Sequence, residues 1–259
     1  MKSEKPLMLD IDLGNSSAKW CLRAGSNKYY GSATGQQPLL QALSAFCSEK
    51  GFLLSSVESL HIASVCSDAR NQEIQQSLVA QKIVKPCWLG SEQKTAGVTN
   101  SYAEPQRMGV DRWAAIVAAV EHLRSEQRSL CSCIVDAGSA LTLDFVDANA
   151  NHCGGYIVPG YAMQRDALFN NTANVKVAQK YQPDEILLPG KNTGDAVEHG
   201  IVLSMGSFID AAVRQFEKQQ ASAVSVLITG GDAPMLKSVS QLPMDYHQHL
   251  VLDGIALLA

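Results

Sequence analysis

Apolar residues in this chain fall into short runs with a two-residue period, followed by longer stretches with a helical period. Residues 7–13, 17–24 and 28–33 read as three successive strands, the second marked by the alternation of Ala18, Trp20 and Leu22. Leu39, Leu40, Leu43, Phe46 and Cys47 share one face of a helix predicted over 37–50, with Gly51 as its C-cap. A strand at 57–65, a helix at 72–81 and a strand at 83–88 follow. Residues 89–110 are polar and irregular, and long connectors of this kind often carry function. Trp113, Ile116, Val117 and Val120 then give an apolar stripe to a helix over 111–127.

From Leu130 the pattern restarts. Strands are predicted at 131–137, 140–147 and 153–159, then a helix at 161–169 and a second polar connector at 170–194. A long helix spans 195–219, apolar at Val197, Ile201, Met205, Phe208 and Ile209. A strand at 223–228 runs into Thr229-Gly230-Gly231-Asp232. A short helix and a last apolar element at 250–258 close the pattern.

The two halves echo each other at one point. Asp12-Leu13-Gly14-Asn15-Ser16 and Asp136-Ala137-Gly138-Ser139-Ala140 both end an apolar strand in Asp-x-Gly, and both open three strands followed by a helix. Such duplication sets the fold, and here it implies two related α/β halves. Each offers a carboxylate at a hairpin corner, so Asp12 and Asp136 facing across a cleft would flank the phosphates of a nucleotide. A carboxylate suits hydrated Mg²⁺, which takes one or two protein oxygens and keeps waters and phosphate oxygens for the rest. Gly14 and Asn15 permit a turn tight enough for backbone N–H groups to reach an anion, and Lys19 supplies a point cation. Gly230-Gly231 would let backbone approach a base or ribose. Asp111 opens a helix, where an acidic side chain caps free N–H groups.

Composition narrows the class. With 259 residues, 46% hydrophobic and 18% charged, the chain can bury a sizeable core. A net charge of −4 argues against a nucleic-acid footprint. No apolar run approaches 18 residues, so no transmembrane helix is expected, and the first residues do not read as a signal peptide. Seven cysteines without a paired framework suit a reducing cytosol, and Cys131-x-Cys133 is not zinc spacing. The six histidines are scattered, and neither a Walker loop nor a Gly-x-Ser-x-Gly elbow is present.

The ordered set of motifs resembles the actin-like ATPase superfamily of acetate and sugar kinases, and within it the type III pantothenate kinases. The residues that carry the resemblance are Asp12 to Ser16 with Lys19-Trp20, Gly109-Val110-Asp111-Arg112-Trp113, and Asp136 to Ser139 with Thr142 and Asp144. Gly154-Gly155-Tyr156-Ile157-Val158-Pro159-Gly160, Asn192-Thr193 with Gly200, and Thr229-Gly230-Gly231 complete it. Ser139 stands where the family commonly has Thr, and Ser17 where it often has an apolar residue or Asn. Neither change removes a charged group.

The resemblance implies two duplicated RNase H-like domains, each a mixed five-stranded sheet flanked by helices, with the active site in the cleft between them. The boundary is expected between residues 112 and 113, giving domains 1–112 and 113–259. It implies transfer of the ATP γ-phosphoryl group to the primary hydroxyl of pantothenate, the first step toward coenzyme A. Asp12 and Asp136 would hold Mg²⁺. Gly14, Asn15, Ser16, Lys19, Gly138, Ser139, Thr229, Gly230 and Gly231 would bind ATP. Asp111 would be the general base and Arg112 would meet the pantothenate carboxylate. Tyr102, Gly109, Val110 and Thr193 would line the same pocket. The resemblance also implies a cytoplasmic homodimer and a monovalent cation, K⁺ or NH₄⁺, for which Asp144 is the only ligand suggested. A non-catalytic regulator on the same fold, and another actin-like kinase or polyphosphate hydrolase, are the competing readings. Retention of Asp12, Asp111 and Asp136 speaks against the first, and Tyr102, Asp111-Arg112 and Thr193 against the second.

Overall fold

Strands β1 (Leu7–Leu13), β2 (Ser17–Ala24) and β3 (Asn27–Thr34) form an antiparallel meander, in a computed structural model that describes residues 6–34, 37–171 and 188–259. Leu9, Ile11 and Leu13 are fully buried on β1 and alternate with Asp10 and Asp12, the two-residue period of a strand with one apolar face. Helix α1 (Leu39–Glu49) lays Leu40, Leu43 and Cys47 into the same core cluster. A fully buried leucine such as Leu43 contributes about 1.5–3 kcal/mol. Strand β4 (Ser59–Ser64) runs parallel to β1.

Helix α2 (Asp68–Ala80) begins four residues before the predicted start. The Ser67 hydroxyl caps it by accepting the Arg70 N–H at 3.4 Å, and the cap rather than the apolar period sets the boundary. Strand β5 (Cys87–Trp88) is the short remnant of the strand expected at 83–88. The sheet order is β3-β2-β1-β4-β5.

The expected loop at 89–110 contains a two-stranded ribbon, β6 (Lys94–Thr95) and β7 (Val98–Thr99), and a 3₁₀ turn at Pro105–Arg107. Helix α3 (Val110–Ser125) follows with Trp113, Ile116, Val117 and Val120 fully buried.

The second sheet comprises β8 (Ser132–Ala137), β9 (Ala140–Val146) and β10 (His152–Pro159), then β11 (Ser225–Thr229) and β12 (Asp245–Tyr246). Helices α4 (Tyr161–Asn171) and α5 (Thr193–Gln220) lie in sequence between β10 and β11, α6 (Ala233–Val239) follows β11, and α7 (Leu250–Leu258) ends the series. Residues 172–187 of the expected connector lie outside the described residues. The order β10-β9-β8-β11-β12 repeats that of the first sheet. The pairing directions repeat too: β8 is antiparallel to β9 and parallel to β11, as β1 is antiparallel to β2 and parallel to β4. The duplication inferred from two Asp-x-Gly corners is therefore a duplication of whole sheets. Strand β12, two residues with one of them charged, left no periodic signal in the sequence.

Contacts within the chain cluster into two units. The first holds Met1–Ala96, Tyr102–Ala118 and Leu250–Ala259, and the second holds Gly97–Ser101 and Ala119–His249. In the first, α7 packs on β1, β2 and β4. Gly254 lets it approach α3, since a Cβ there would lie 2.0 Å from the Ala114 carbonyl oxygen. In the second, α5 is the core helix. Among the described helices it alone is long and apolar enough to cross a membrane, but Val202, Met205, Ile209, Val213 and Phe216 are buried in the unit's own core.

Candidate active site

In the first unit the strand pattern ends β1 at Leu13, and the chain reverses through Gly14, whose N–H donates to the Ser17 carbonyl at 3.0 Å. Asn15 and Ser16 form the exposed tip. Asp12 and Lys19 are register partners across β1 and β2, so they project from the same face of the ladder. Two groups from the segment after β4 support this turn: the Cys66 thiol donates to the Gly14 carbonyl at 3.3 Å and Arg70 Nη1 to the Asn15 carbonyl at 3.3 Å. Neither was anticipated from the sequence. Cys66 lies 52 residues away from its partner and Arg70 lies 55, and nothing in a helical pattern marks such a contact.

Asp10 has a different task. It is 1% exposed, with Arg23 Nη2 at 2.7 and 2.9 Å from its two oxygens and His61 Nδ1 at 2.9 Å. A buried carboxylate requires such partners, and these tie β1 to β2 and β4.

The Gly109-Val110-Asp111-Arg112 motif forms the start of α3, where the Gly109 carbonyl accepts the Trp113 N–H at 3.0 Å. A Cβ on Gly109 would stand 2.6 Å from Asp111 Oδ1, so any larger residue there would push the carboxylate out of its present position. The same oxygen accepts the Arg112 N–H at 2.7 Å. Asp111 is thus both an acidic group at a helix start and a half-buried carboxylate held in a fixed orientation. Arg112 is buried and donates through Nη1 to the Tyr102 hydroxyl at 3.0 Å, its Cζ lying 5.8 Å from the Tyr102 ring centroid. Val110 is buried at 5% exposure. Asp111, Arg112 and Tyr102, read from separate stretches of sequence, come together in one unit.

In the second unit Asp136 is next to last in β8, as Asp12 is in β1, with Thr142 and Thr229 as its register partners. The turn closes through Gly138 N–H to Ala140 O at 3.1 Å, and a Cβ on Gly138 would lie 3.3 Å from Asp136 Oδ1. Gly230 has φ +96°, a conformation glycine adopts without strain, and a Cβ there would lie 2.4 Å from the Ala137 carbonyl. The Asp232 N–H bonds that carbonyl at 3.0 Å. Thr229 and Gly230 are thereby pressed against the Asp136–Ser139 corner, while Gly231 has open space where a side chain would stand. Gly160 completes the corner from the far side: its N–H donates to Ser139 O at 3.1 Å, and a Cβ would lie 2.4 Å from Gly138 O. Thr193 is exposed in the first turn of α5, behind Asn192, whose side chain accepts the Asp195 N–H at 2.9 Å.

Among the described residues no group of three or more His, Cys, Asp or Glu side chains could hold a metal ion. A single carboxylate is enough for Mg²⁺, which is completed by phosphate and water oxygens. Asp144, suggested for the monovalent cation, is 2% exposed and bonded to His152 Nε2 at 3.0 Å.

The sequence model of the type III pantothenate kinase family matches residues 8–215. The chain belongs to that family. A type III pantothenate kinase from Alcanivorax borkumensis is 32% identical over 254 residues, covering 98% of each chain. Among solved structures, a Campylobacter jejuni chain described as a Baf family transcriptional activator superposes with a TM-score of 0.60 at 20% identity, covering 96% of each chain. A Sinorhizobium meliloti chain described as a 2-dehydro-3-deoxygalactonokinase gives 0.61 at 12% identity, covering 96% of this chain and 94% of that one. At these identities the structures speak for the fold, which is the actin-like fold of the sugar kinases. Family membership makes this pantothenate kinase an enzyme.

Proposed function

We propose that this pantothenate kinase moves the γ-phosphoryl group of ATP to the primary hydroxyl of pantothenate with Asp111 as general base. The observation that carries the reading is the Asp111 carboxylate, fixed over Gly109 beside Arg112 and its partner Tyr102. A base and a carboxylate-binding cation adjacent in sequence suit a substrate with a hydroxyl at one end and a carboxylate at the other. Arg112 and Tyr102 take the carboxylate end, and Gly109, Val110 and Thr193 line the remainder. Asp111 takes the hydroxyl proton as the oxygen bonds to the γ-phosphorus and the bond to the β–γ bridging oxygen breaks, releasing ADP.

Phosphoryl transfer asks chiefly for position and charge neutralisation. Gly14, Asn15, Ser16, Lys19, Gly138 and Ser139 hold phosphate oxygens, and Thr229, Gly230 and Gly231 receive the adenosine. Asp12 and Asp136 would hold Mg²⁺, which when bound neutralises phosphate charge. A monovalent cation, K⁺ or NH₄⁺, is the further ion proposed. All seven cysteines are free, which supports a reducing cytoplasmic setting. Exposed Tyr156, Ile157, Met163, Leu168 and Leu203 support a homodimer formed through the second unit.

A coupled assay for ADP with pantothenate, ATP, Mg²⁺ and K⁺ tests the reading. Turnover dependent on pantothenate is expected, and ADP release no greater than in a pantothenate-free control overturns it.

A further inference from the structure

We propose that His152 and Ser101 are positioning residues for pantothenate capture, holding in place the segment that leads into Tyr102. The inference rests on the reading of Tyr102 as a pantothenate-pocket residue. Neither residue belongs to the phosphate turns or to the start of α3.

The observation is a relay of three side chains in the second unit. Asp144, at 2% exposure, contacts His152 Nε2 at 3.0 Å, and His152 Nδ1 contacts Ser101 Oγ at 2.8 Å. The imidazole itself is completely buried. A carboxylate accepts and does not donate, so Nε2 carries a proton toward Asp144, and Nδ1 pairs with the Ser101 hydroxyl. The relay runs from the interior of the sheet to the exposed residue Ser101.

Burying a carboxylate and an imidazole is costly, and apolar residues of similar volume fill a core at least as well. The pair therefore needs a purpose beyond packing, and its outer end supplies one. Segment 97–101 is attached to the β9–β10 turn through the Thr99 N–H to Ala150 O bond at 3.0 Å and a bridge from Thr99 to Asn151. Asp147 stiffens that turn by accepting the Asn149 and Asn151 N–H groups, both at 2.8 Å. Val98 and Asn100 are buried. The Ser101 hydroxyl on His152 is the last attachment before Tyr102, one peptide bond further on. Ala96, just before the segment, and Gly97, its first residue, both have positive φ. The attachments keep the approach to Tyr102 ordered before substrate arrives. A side chain ordered in advance does not lose that entropy on binding, so the relay acts on pantothenate affinity and not on nucleotide affinity or on the chemical step.

The test is steady-state kinetics of wild type, Ser101→Ala, Ser101→Thr, His152→Leu and the double variant Ser101→Ala/His152→Leu. Ser101 is exposed, so its variants fold whether or not a buried change at 152 is tolerated. Ser101→Ala is expected to raise the KM for pantothenate roughly fivefold to tenfold, the effect of unfixing about one residue, with kcat and the KM for ATP within about twofold. Ser101→Thr, which keeps the hydroxyl, restores the wild-type value. The double variant is no worse than the poorer single one, because the residues act as one relay. An unchanged KM for pantothenate in Ser101→Ala, or equal rises for both substrates, overturns the inference while leaving the kinase reading intact. Wild type inactive on pantothenate removes both.

Discussion

Asp12 and Lys19 face one another across the β1–β2 ladder, one on the strand entering the Gly14 turn and one on the strand leaving it. The hairpin that builds the turn thus also sets a carboxylate beside a cation. Replacing Lys19 by Ala is expected to raise the KM for ATP by about 10- to 100-fold, the value of one hydrogen bond to a charged group. Lys19→Arg keeps the charge and recovers part of the loss. Initial rates over an ATP series, at saturating pantothenate, check this, and an unchanged KM removes Lys19 from the phosphate site.

Asp111→Asn retains the shape that rests on Gly109 and an oxygen able to accept the Arg112 N–H. Its melting temperature should stay within a few degrees of wild type, while kcat falls by about 10²–10⁴-fold, the usual contribution of a general base. Thermal denaturation and single-turnover rates measured together separate the two effects. Full activity would leave Asp111 a helix cap.

Gly230→Ala would place a methyl group 2.4 Å from the Ala137 backbone at a φ of +96°. Backbone cannot yield as a flexible side chain does, and left-handed strain adds about 1–3 kcal/mol. We expect weakened ATP binding and a lowered melting temperature. Gly231→Ala, with open space at its Cβ, should fold as wild type, so calorimetric titration of ATP into both variants distinguishes turn strain from lost nucleotide contact.

Asp10→Ala leaves His61 and the Arg23 guanidinium without their shared partner. We expect a loss of about 3 kcal/mol, at the low end for a broken buried pair because Arg23 remains 20% exposed. The KM values of the protein that stays folded should be unaffected. Urea denaturation followed by assay of the soluble fraction tests both parts.

Burial pushes the Cys21 thiol up to about 11, with Asp10 adding to the effect, and burial also raises Cys47, Cys131 and Cys133. The thiolate is the reactive form, so these four should resist a thiol reagent at pH 8. Cys66 and Cys87, which are not fully buried, should account for the fast reaction in the native protein, and the exposed Cys153, whose thiol burial also pushes up with Asp147 adding to the effect, should follow more slowly. Unfolding in urea should release the remaining thiols. Fast native labelling of Cys133 would contradict the buried β8 strand.

Much of this architecture was legible because strand periodicity and strand-ending Asp-x-Gly corners are local signals. Asp12 and Asp136 take equivalent places in their sheets for the reason their sequences match: each is the penultimate residue of a central strand. Gly109 was legible as part of a motif, although the nearness of the Asp111 carboxylate to it appears only in three dimensions. The groups that brace the sites were not legible. His61 reaches Asp10 across 51 residues, as His152 reaches Ser101, and sequence spacing carries no trace of pairings made by parallel strands or distant loops. Helix α2 was placed late because its apolar stripe is weak, with only Leu78 buried, while the Ser67 cap marks its true start.

Helix α7 belongs with the first unit although it follows the whole of the second in sequence. During synthesis β1 emerges early, yet the helix that covers it is translated only after Ala119–His249. Strands β1, β2 and β4 thus precede, by the whole of that stretch, the helix that packs on them. A chain shortened before Leu250 would therefore leave β1, β2 and β4 without the helix that packs on them.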